Sequence, residues 1–169
     1  HSNLKTMLQT QYGLTGGTWV FNPNEATNAN SISGGGGTKT VVNISEQSFT
    51  KAVQFTVTTV PTDVWNAGIN LTTIQPISNG DRLLLIFWAR TTKAPNNTGI
   101  GNFEFMQNAT PWNKYVTMEQ RVGTSWKMYM LPFQATADLP AGSAKFSVEL
   151  GVVVQTIQVA GVNVINYKQ

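Results

Sequence analysis

The alternation of apolar and polar positions is clearest in residues 80–90, where a Gly-Asp turn signal precedes a run of large apolar side chains. Such a run predicts a strand that is buried on at least one face. Successive strand side chains point to opposite faces. One face therefore carries the apolar set Leu83, Leu85, Phe87 and Ala89, and the other ends in Trp88 and Arg90. A tryptophan beside an arginine on the outer face indicates a surface at which a ligand binds.

Further alternating or β-branched segments predict other strands along the chain. They lie at residues 13–22, 38–44, 52–60, 64–71, 102–107, 115–121, 126–131, 145–154 and 156–167. About ten strands with closely spaced turn signals and essentially no helix predict an all-β sandwich or barrel. Residues 1–11 have a helical pattern too short to hold a helix unaided. We therefore expect residues 1–12 to be a lead-in segment and residues 13–169 to be a single domain.

Residues 23–37 are rich in Asn, Ser and Gly and end in four consecutive glycines, Gly34 to Gly37. Four glycines lose much backbone entropy on ordering. This composition predicts a loop that is either flexible or in close contact with another part of the backbone. A phosphate-binding loop would require a following Lys-Ser/Thr and a helix, which the sequence lacks.

Charged residues make up only 11% of the chain, against roughly 25% in soluble domains generally. A surface made polar by Thr, Asn, Gln, Ser and Gly suits neutral polyhydroxylated ligands or an extracellular location. The net charge is +3, but the basic residues are dispersed, which argues against a nucleic-acid ligand. No apolar run approaches the roughly 20 residues that span a membrane. Because cysteine is absent, disulfides and thiol chemistry are excluded.

Few side chains could support catalysis. The one histidine, His1, is terminal and is a poor general base, so a Ser-His-Asp arrangement has no imidazole. Among eight carboxylates, Glu104 and Glu149 both lie on predicted strands with apolar neighbours turned the other way, and they are the candidate glycosidase pair. The alternative is that each forms an ordinary ion pair with Arg90, Arg121 or a lysine.

The five tryptophans fall into two groups. Trp19, Trp88 and Trp126 lie within apolar strand patterns, as residues of a core or of a covered sheet do. Trp65 and Trp112 lie among Asp, Asn and Pro, where an exposed indole can stack on a sugar ring while amides hydrogen-bond its hydroxyls. The alternative for both is a hydrophobic anchor for a loop.

Several segments together resemble a known family. They are Gly80-Asp81, Phe87-Trp-Ala-Arg90, the Trp126…Pro132-Phe133 strand and, above all, the tail from Glu149-Leu-Gly through Gln155-Thr-Ile to Asn166-Tyr167. This pattern resembles the carbohydrate-binding modules of families 4, 9, 16 and 22, as attached to bacterial polysaccharide-degrading enzymes. The resemblance implies a two-sheet antiparallel jelly roll of the galactose-binding-like type, without catalysis.

Carried over by position, the resemblance implies a binding groove with Trp88, Arg90, Glu104, Met106 and Glu149 on its face. At or near its edges it implies Trp65, Asn66, Gln107, Trp112 and Gln155. It also implies a structural calcium ion, for which Glu25, Asn28 and Asn163 are the candidate ligands. An amide stands at Asn163 where an aspartate is expected, and hard cations prefer carboxylate oxygens.

The predicted function is a non-catalytic module that tethers an attached enzyme to a plant or microbial polysaccharide, β-glucan or xylan above all. The alternatives are a small glycoside hydrolase or lyase using Glu104 and Glu149, and a structural sandwich that packs on a catalytic domain. The expected partners are the polysaccharide and a covalently linked catalytic domain, with no nucleic acid or membrane. We expect a monomer that is secreted or on the cell surface, although no signal segment is visible in the sequence.

Overall fold

Two antiparallel sheets packed face to face account for most of the computed structural model, which describes residues 2–168. Two helices, α1 (Ser2–Tyr12) and α2 (Glu25–Ser31), and short 3₁₀ helices at Val64–Asn66 and Pro95–Asn97 accompany them. The strands are β1 (Thr18–Trp19), β2 (Ser33–Gly35), β3 (Thr38–Asn43), β4 (Lys51–Val57), β5 (Gly68–Thr72), β6 (Arg82–Lys93), β7 (Gly99–Gln107), β8 (Lys114–Val122), β9 (Lys127–Gln134), β10 (Ala144–Glu149) and β11 (Gln155–Lys168).

The strand order is that of a jelly roll. Sheet A has the order β3-β4-β11-β6-β9, with β1 paired to β11, and sheet B has the order β2-β5-β10-β7-β8. The long strands β6 and β11 lie side by side in the middle of sheet A, and the short β10 is central in sheet B. The predicted all-β, two-sheet antiparallel sandwich is confirmed.

The core lies between the two sheets and is formed by the inward positions of each strand. On β6, Leu83, Leu85 and Phe87 are at most 3% exposed, as the alternation predicted. Phe87 stacks on Phe103 of β7 with a centroid distance of 4.5 Å, so the two sheets meet through aromatic rings. Burial of such side chains is the main source of stability, at about 25 cal/mol per Å² of apolar surface.

Helix α1 covers part of the outer face of sheet A. Leu8 is fully buried and packs with Leu84, Ile86 and Ile165. The segment predicted as a lead-in without a helix is thus helical, because tertiary packing supplies the stability that its short pattern lacks. Neither helix has the length and apolarity of a membrane-crossing segment within the described residues.

Residues 23–37 contain more regular structure than their composition predicts. Asn24 caps α2 by accepting a hydrogen bond from the Thr27 amide at 3.1 Å, and β2 follows. The close backbone contact expected of the glycines occurs at Gly36, where φ is 75° and a Cβ would lie 1.7 Å from the Asn66 carbonyl oxygen. The predicted strand at 64–71 is correct only from Gly68, because a 3₁₀ turn occupies its first part.

Candidate functional site

A cleft of about 640 Å³ lies on the outer face of sheet B. Its floor is formed by the three middle strands β5, β10 and β7, and its rim includes two tryptophans from loops. The lining residues are Gly35, Trp65, Asn66, Gly68, Asn70, Met106, Trp112, Lys114, Lys145, Ser147, Val148 and Glu149.

The floor follows from alternation along β10. Ala144, Phe146 and Val148 belong to the buried core, so the intervening Lys145, Ser147 and Glu149 point to the outer face. Antiparallel pairing sets Glu104 of β7 opposite Ser147. A polar strip therefore crosses the middle of a sheet whose other face is apolar.

The two rim tryptophans are the most exposed of the five. Trp65 is 65% exposed and Trp112 is 49% exposed. Trp65 precedes β5, whose Gly68 pairs with Glu149, whereas Trp112 lies against Lys145. Glu149 and Lys145 are four residues apart on β10, a separation of about 13 Å along the strand. The cleft is thus bounded at both ends by an aromatic surface.

Backbone contacts fix the chain at both ends of the rim. The Asn66 amide donates to the Asp63 carbonyl at 3.0 Å, and Gly36 packs against the Asn66 carbonyl. Trp112 has a φ of 62°, and its amide donates to the Ala109 carbonyl at 2.7 Å. The left-handed conformation costs an L-residue about 1–2 kcal/mol. A bulky residue held in that conformation at a cleft rim is typical of a functional position.

An ion pair joins the exposed Lys114 of the cleft lining to a carboxylate buried beneath it. Glu104 is 1% exposed, and its Oε1 accepts hydrogen bonds from Lys114 Nζ at 2.7 Å and Thr117 Oγ1 at 3.2 Å. Lys114 Nζ also lies 3.8 Å from Glu149 Oε1. Asn102 Nδ2 donates to Glu149 Oε2 at 3.2 Å. Glu104 Oε2 is buried without a hydrogen-bond partner in the described part of the chain.

The pKa values of the two lysines at the cleft shift in opposite directions. Burial raises the pKa of Glu104, and the charge of Glu149 adds to this, against the hydrogen bond from Lys114. That same hydrogen bond raises the pKa of Lys114. Burial lowers the pKa of Lys145 in spite of the favourable charges of Glu104 and Glu149. The charge of Lys114 is thus balanced by neighbouring carboxylates, whereas the charge of Lys145 is not fully balanced.

Comparison with solved structures identifies this architecture. A structure described as "CBM4 structure and function" superposes with a TM-score of 0.66 at 14% identity, covering 81% of this chain and 95% of that one. The N-terminal cellulose-binding domain of Cellulomonas fimi β-1,4-glucanase C superposes with a TM-score of 0.62 at 14% identity, covering 82% and 90%.

A third neighbour is the Clostridium thermocellum endo-1,4-β-D-xylanase 10B, comprising CBM22-1 and GH10 modules in complex with xylohexaose. It matches with a TM-score of 0.62 at 9% identity over 88% of this chain and 28% of that one. This chain has the fold of carbohydrate-binding modules. No protein-family model and no curated protein matches the sequence.

In this module fold, several of the predicted ligand-binding residues come together. Trp65, Asn66, Trp112 and Glu149 all line the cleft, and Glu104 lies beneath them. The sequence analysis missed Lys145, Lys114, Asn70 and Ser147. For Lys145 and Ser147 the signal was the alternation of polar and apolar residues along β10, which was obscured by assigning residues 145–154 to one long strand. Lys114 and Asn70 lie on β8 and β5.

The predicted position of Trp88 and Arg90 beside Glu104 is wrong. Both residues are on β6 of sheet A, whereas Glu104 is on β7 of sheet B, and their side chains leave the sandwich on opposite sides. Trp88 packs on Phe49. Arg90 Nε donates to Gln158 Oε1 at 2.7 Å and its guanidinium covers Trp126. The physical reason is strand pairing, which the alternation within one strand does not specify.

Two predicted glutamines are also outside the cleft. Gln155 is 1% exposed, accepts from the Ile100 amide at 2.9 Å, and donates to the Ile100 and Leu150 carbonyls. Its amide links the start of β11 to sheet B and is not available to a ligand. Gln107 ends β7 beside the Trp112 turn, and its Oε1 is buried without a partner among the described residues.

The predicted calcium ligands do not form a convincing cation site. Glu25 accepts hydrogen bonds from the Thr50 and Lys51 amides, and Asn163 Oδ1 accepts from the Val164 amide at 2.9 Å. Asn28 Oδ1 is buried and unpartnered, but the cavity beside Asn28 and Glu25 is only about 10 Å³. No group of three acidic or histidine side chains converges anywhere in residues 2–168. This donor set does not fit a hard cation.

Proposed function

We propose that this chain is a non-catalytic module that binds a polysaccharide in the cleft of sheet B. The observation that carries the proposal is the pair of exposed indoles, Trp65 and Trp112, at the two ends of a polar cleft. Exposed apolar surface rimmed by polar residues marks a groove that binds a ligand or a partner.

The lining chemistry suits a sugar chain. Each indole offers an apolar face to a pyranose ring, and aromatic stacking of this kind orients a ring against the cleft. Asn66, Asn70 and Ser147 present neutral donors and acceptors between the two indoles. A cleft that is open to solvent accommodates a polymer that continues beyond its ends.

β-Glucan or xylan is the polymer that we propose, with the chain joined to a catalytic domain and located outside the cell. A cellulose-binding domain and a xylanase with xylohexaose bound are among the structural neighbours, which supports this choice. Attachment of such a module raises the effective concentration of its enzyme at an insoluble substrate.

The geometry argues against a hydrolase that uses Glu104 and Glu149. Glu149 lines the cleft, but Glu104 does not, and one Glu104 oxygen is bound by Lys114 while the other is buried. A general acid must come within hydrogen-bond reach of the glycosidic oxygen. Glu104 instead lies beneath the floor, where it supports Lys114. The exposure of both rim tryptophans likewise favours a binding module over a purely structural sandwich.

Affinity gel electrophoresis tests the proposal directly. Gels containing β-glucan, xylan or hydroxyethyl cellulose should retard the wild-type chain in at least one polymer. Trp65→Ala and Trp112→Ala should each lose most of that retardation. Tyr12→Ala is the matched control, because Tyr12 is also an exposed aromatic, at 53%, but lies at the end of α1.

Unchanged mobility of the wild-type chain in every polymer would contradict the binding function. Equal losses in all three variants would show that the indoles of the cleft have no special role. Release of reducing sugar from any of these polymers, abolished by Glu104→Gln, would instead support the hydrolase.

A further inference from the structure

Lys145 is a cation of the cleft floor at its Trp112 end. It lies on the central strand β10, with Thr72 on one side and Met106 on the other. Its Nζ is 5.1 Å from the centroid of the Trp112 ring. Within residues 2–168, no carboxylate oxygen lies within 4.0 Å of this ammonium group.

The neighbouring cation is in the opposite situation. Lys114 Nζ is 2.7 Å from Glu104 and 3.8 Å from Glu149, so it holds both carboxylates nearest to the floor. Glu149 also accepts a hydrogen bond from Asn102. Two cations and two carboxylates thus lie in or beneath the floor, and both carboxylates are arranged around Lys114.

The positive charge of Lys145 is therefore only partly compensated by the carboxylates around it. Burial disfavours its ammonium form more than the charges of Glu104 and Glu149 favour it, and its pKa is lowered. The ring face of Trp112 attracts a cation only weakly. An anion brought beside Lys145 would supply the missing partner through a charged hydrogen bond.

Trp112 defines what kind of anion fits. Half of the residue is exposed, so a pyranose ring can pack against it while Lys145 remains beside its indole. A uronic acid carries a carboxylate directly on a pyranose ring, and therefore presents a ring and an anion together. Inorganic anions lack the ring, and neutral hexoses and pentoses lack the charge.

We propose that the Trp112 end of the cleft selects a uronic acid residue of an acidic polysaccharide, with its carboxylate paired to Lys145 and its ring against Trp112. This rests on the proposed function, because it assigns a specificity to the same cleft. The polymer is therefore a glycan with uronate residues or side groups, such as a glucuronic acid-substituted xylan, in preference to an unsubstituted one.

The test compares each acidic polymer with its own neutral form. Glucuronoxylan and polygalacturonate are used as such and after chemical reduction of their carboxyl groups to alcohols, which leaves the backbone linkages intact. Dissociation constants from affinity gels at a fixed, low ionic strength should favour the acidic form of at least one pair by roughly tenfold, as expected for one charged hydrogen bond.

Three variants assign that preference to Lys145. Lys145→Gln should bring the ratio of the two dissociation constants close to one, whereas Lys145→Arg should keep most of it. Lys93→Gln is the matched control, because it removes the same charge from an exposed position at the end of β6 in sheet A. It should leave the ratio unchanged.

The outcomes separate this inference from the proposed function. Binding to neutral polymers without a preference for the acidic form of either pair overturns uronate selection and leaves polysaccharide binding intact. A preference that survives in Lys145→Gln, or that falls equally in Lys93→Gln, also overturns it. Failure to bind any acidic, reduced or neutral polymer overturns both.

Discussion

The outer faces of the two sheets differ although the strands beneath them alternate in the same way. On sheet A, the outward side chains Leu84, Ile86 and Ile165 are covered by Leu8 of α1. Farther along the same face, Phe49 packs on Trp88 and Trp126. On sheet B no comparable element covers the floor of the cleft among the described residues, and the outward positions of β10 are polar. An outer face is available to a ligand only where the rest of the chain leaves it uncovered.

The same residue type therefore has different roles on the two faces. Trp88 and Trp126 are partly buried in an aromatic cluster with Phe49, whereas Trp65 and Trp112 remain exposed. Arginine and lysine differ similarly. Arg90 is held by Gln158 and Trp126 on sheet A, whereas Lys145 faces an open cleft. Composition alone does not distinguish these environments.

The largest expected effect is on the covered face. Leu8→Ala should lower the free energy of unfolding by about 3 kcal/mol, because it removes a fully buried side chain that α1 packs onto sheet A. Urea unfolding measures this change. Polysaccharide affinity, measured at a temperature at which circular dichroism shows the variant to be folded, should not change. A loss of affinity in the folded variant would show that the two faces are coupled.

The next effect separates binding from stability at the cleft rim. Trp112→Gly and Trp112→Ala should both weaken polysaccharide binding by about 1–2 kcal/mol, because both remove the indole. Glycine adopts the φ of 62° without strain, whereas alanine adopts it at an energetic cost. Trp112→Gly should therefore be about 1 kcal/mol more stable than Trp112→Ala in urea unfolding. Equal stability of the two variants would argue against backbone strain at this position.

A smaller effect concerns the pH dependence of the cleft floor. Burial raises the pKa of Glu104 above its ordinary value of 4.5, so the folded chain binds this proton more tightly than the unfolded chain. The resulting stabilisation is fully present below pH 4.5 and is lost as the pH rises through the raised pKa.

Glu104→Gln tests this expectation, since glutamine is neutral at every pH. Relative to the glutamine variant, the wild-type chain should lose stability as the pH is raised from 4 to 7. Lys114, Lys145 and Glu149 face the same carboxyl and remain in both proteins. Urea unfolding across this range measures the difference. A difference that is constant with pH would contradict a raised pKa.

The smallest effect tests the corrected position of Arg90. Arg90→Ala should change polysaccharide affinity by less than about 0.3 kcal/mol, because Arg90 is on the opposite side of the sandwich from the cleft. Its loss should lower stability by about 1 kcal/mol through the lost hydrogen bond to Gln158 and the lost contact with Trp126. A large loss of polysaccharide affinity would show that Arg90 belongs to the binding site.

Features that depend on neighbouring positions in the chain were predictable. Period-two alternation identified the inward face of β6, including Phe87, and turned the apolar neighbours of Glu104 on β7 away from it, and the structure confirms both. Turn residues separated the strands. Trp65 and Trp112 stood in polar surroundings, and both are exposed.

Features that depend on distant pairing were not predictable in the same way. Alternation assigns a side chain to a face of its own strand but does not say which strands are neighbours. For this reason Trp88 was placed beside Glu104, although the two are on different sheets. The short pattern of α1 could not reveal a helix whose stability comes from the surface that it covers.

The sequence by itself determined that this chain is a β-sandwich with an apolar interior and a surface of neutral polar residues, because local alternation and composition carry that information. Only the tertiary structure decided which outer face is a cleft. Strand order places Lys145 on β10, between β5 and β7. Helix α1 covers part of the outer face of sheet A, whereas the cleft on the outer face of sheet B remains exposed. The strand order and the covering of sheet A both depend on contacts between residues far apart in the chain. A local sequence pattern contains no information about the energies of such contacts.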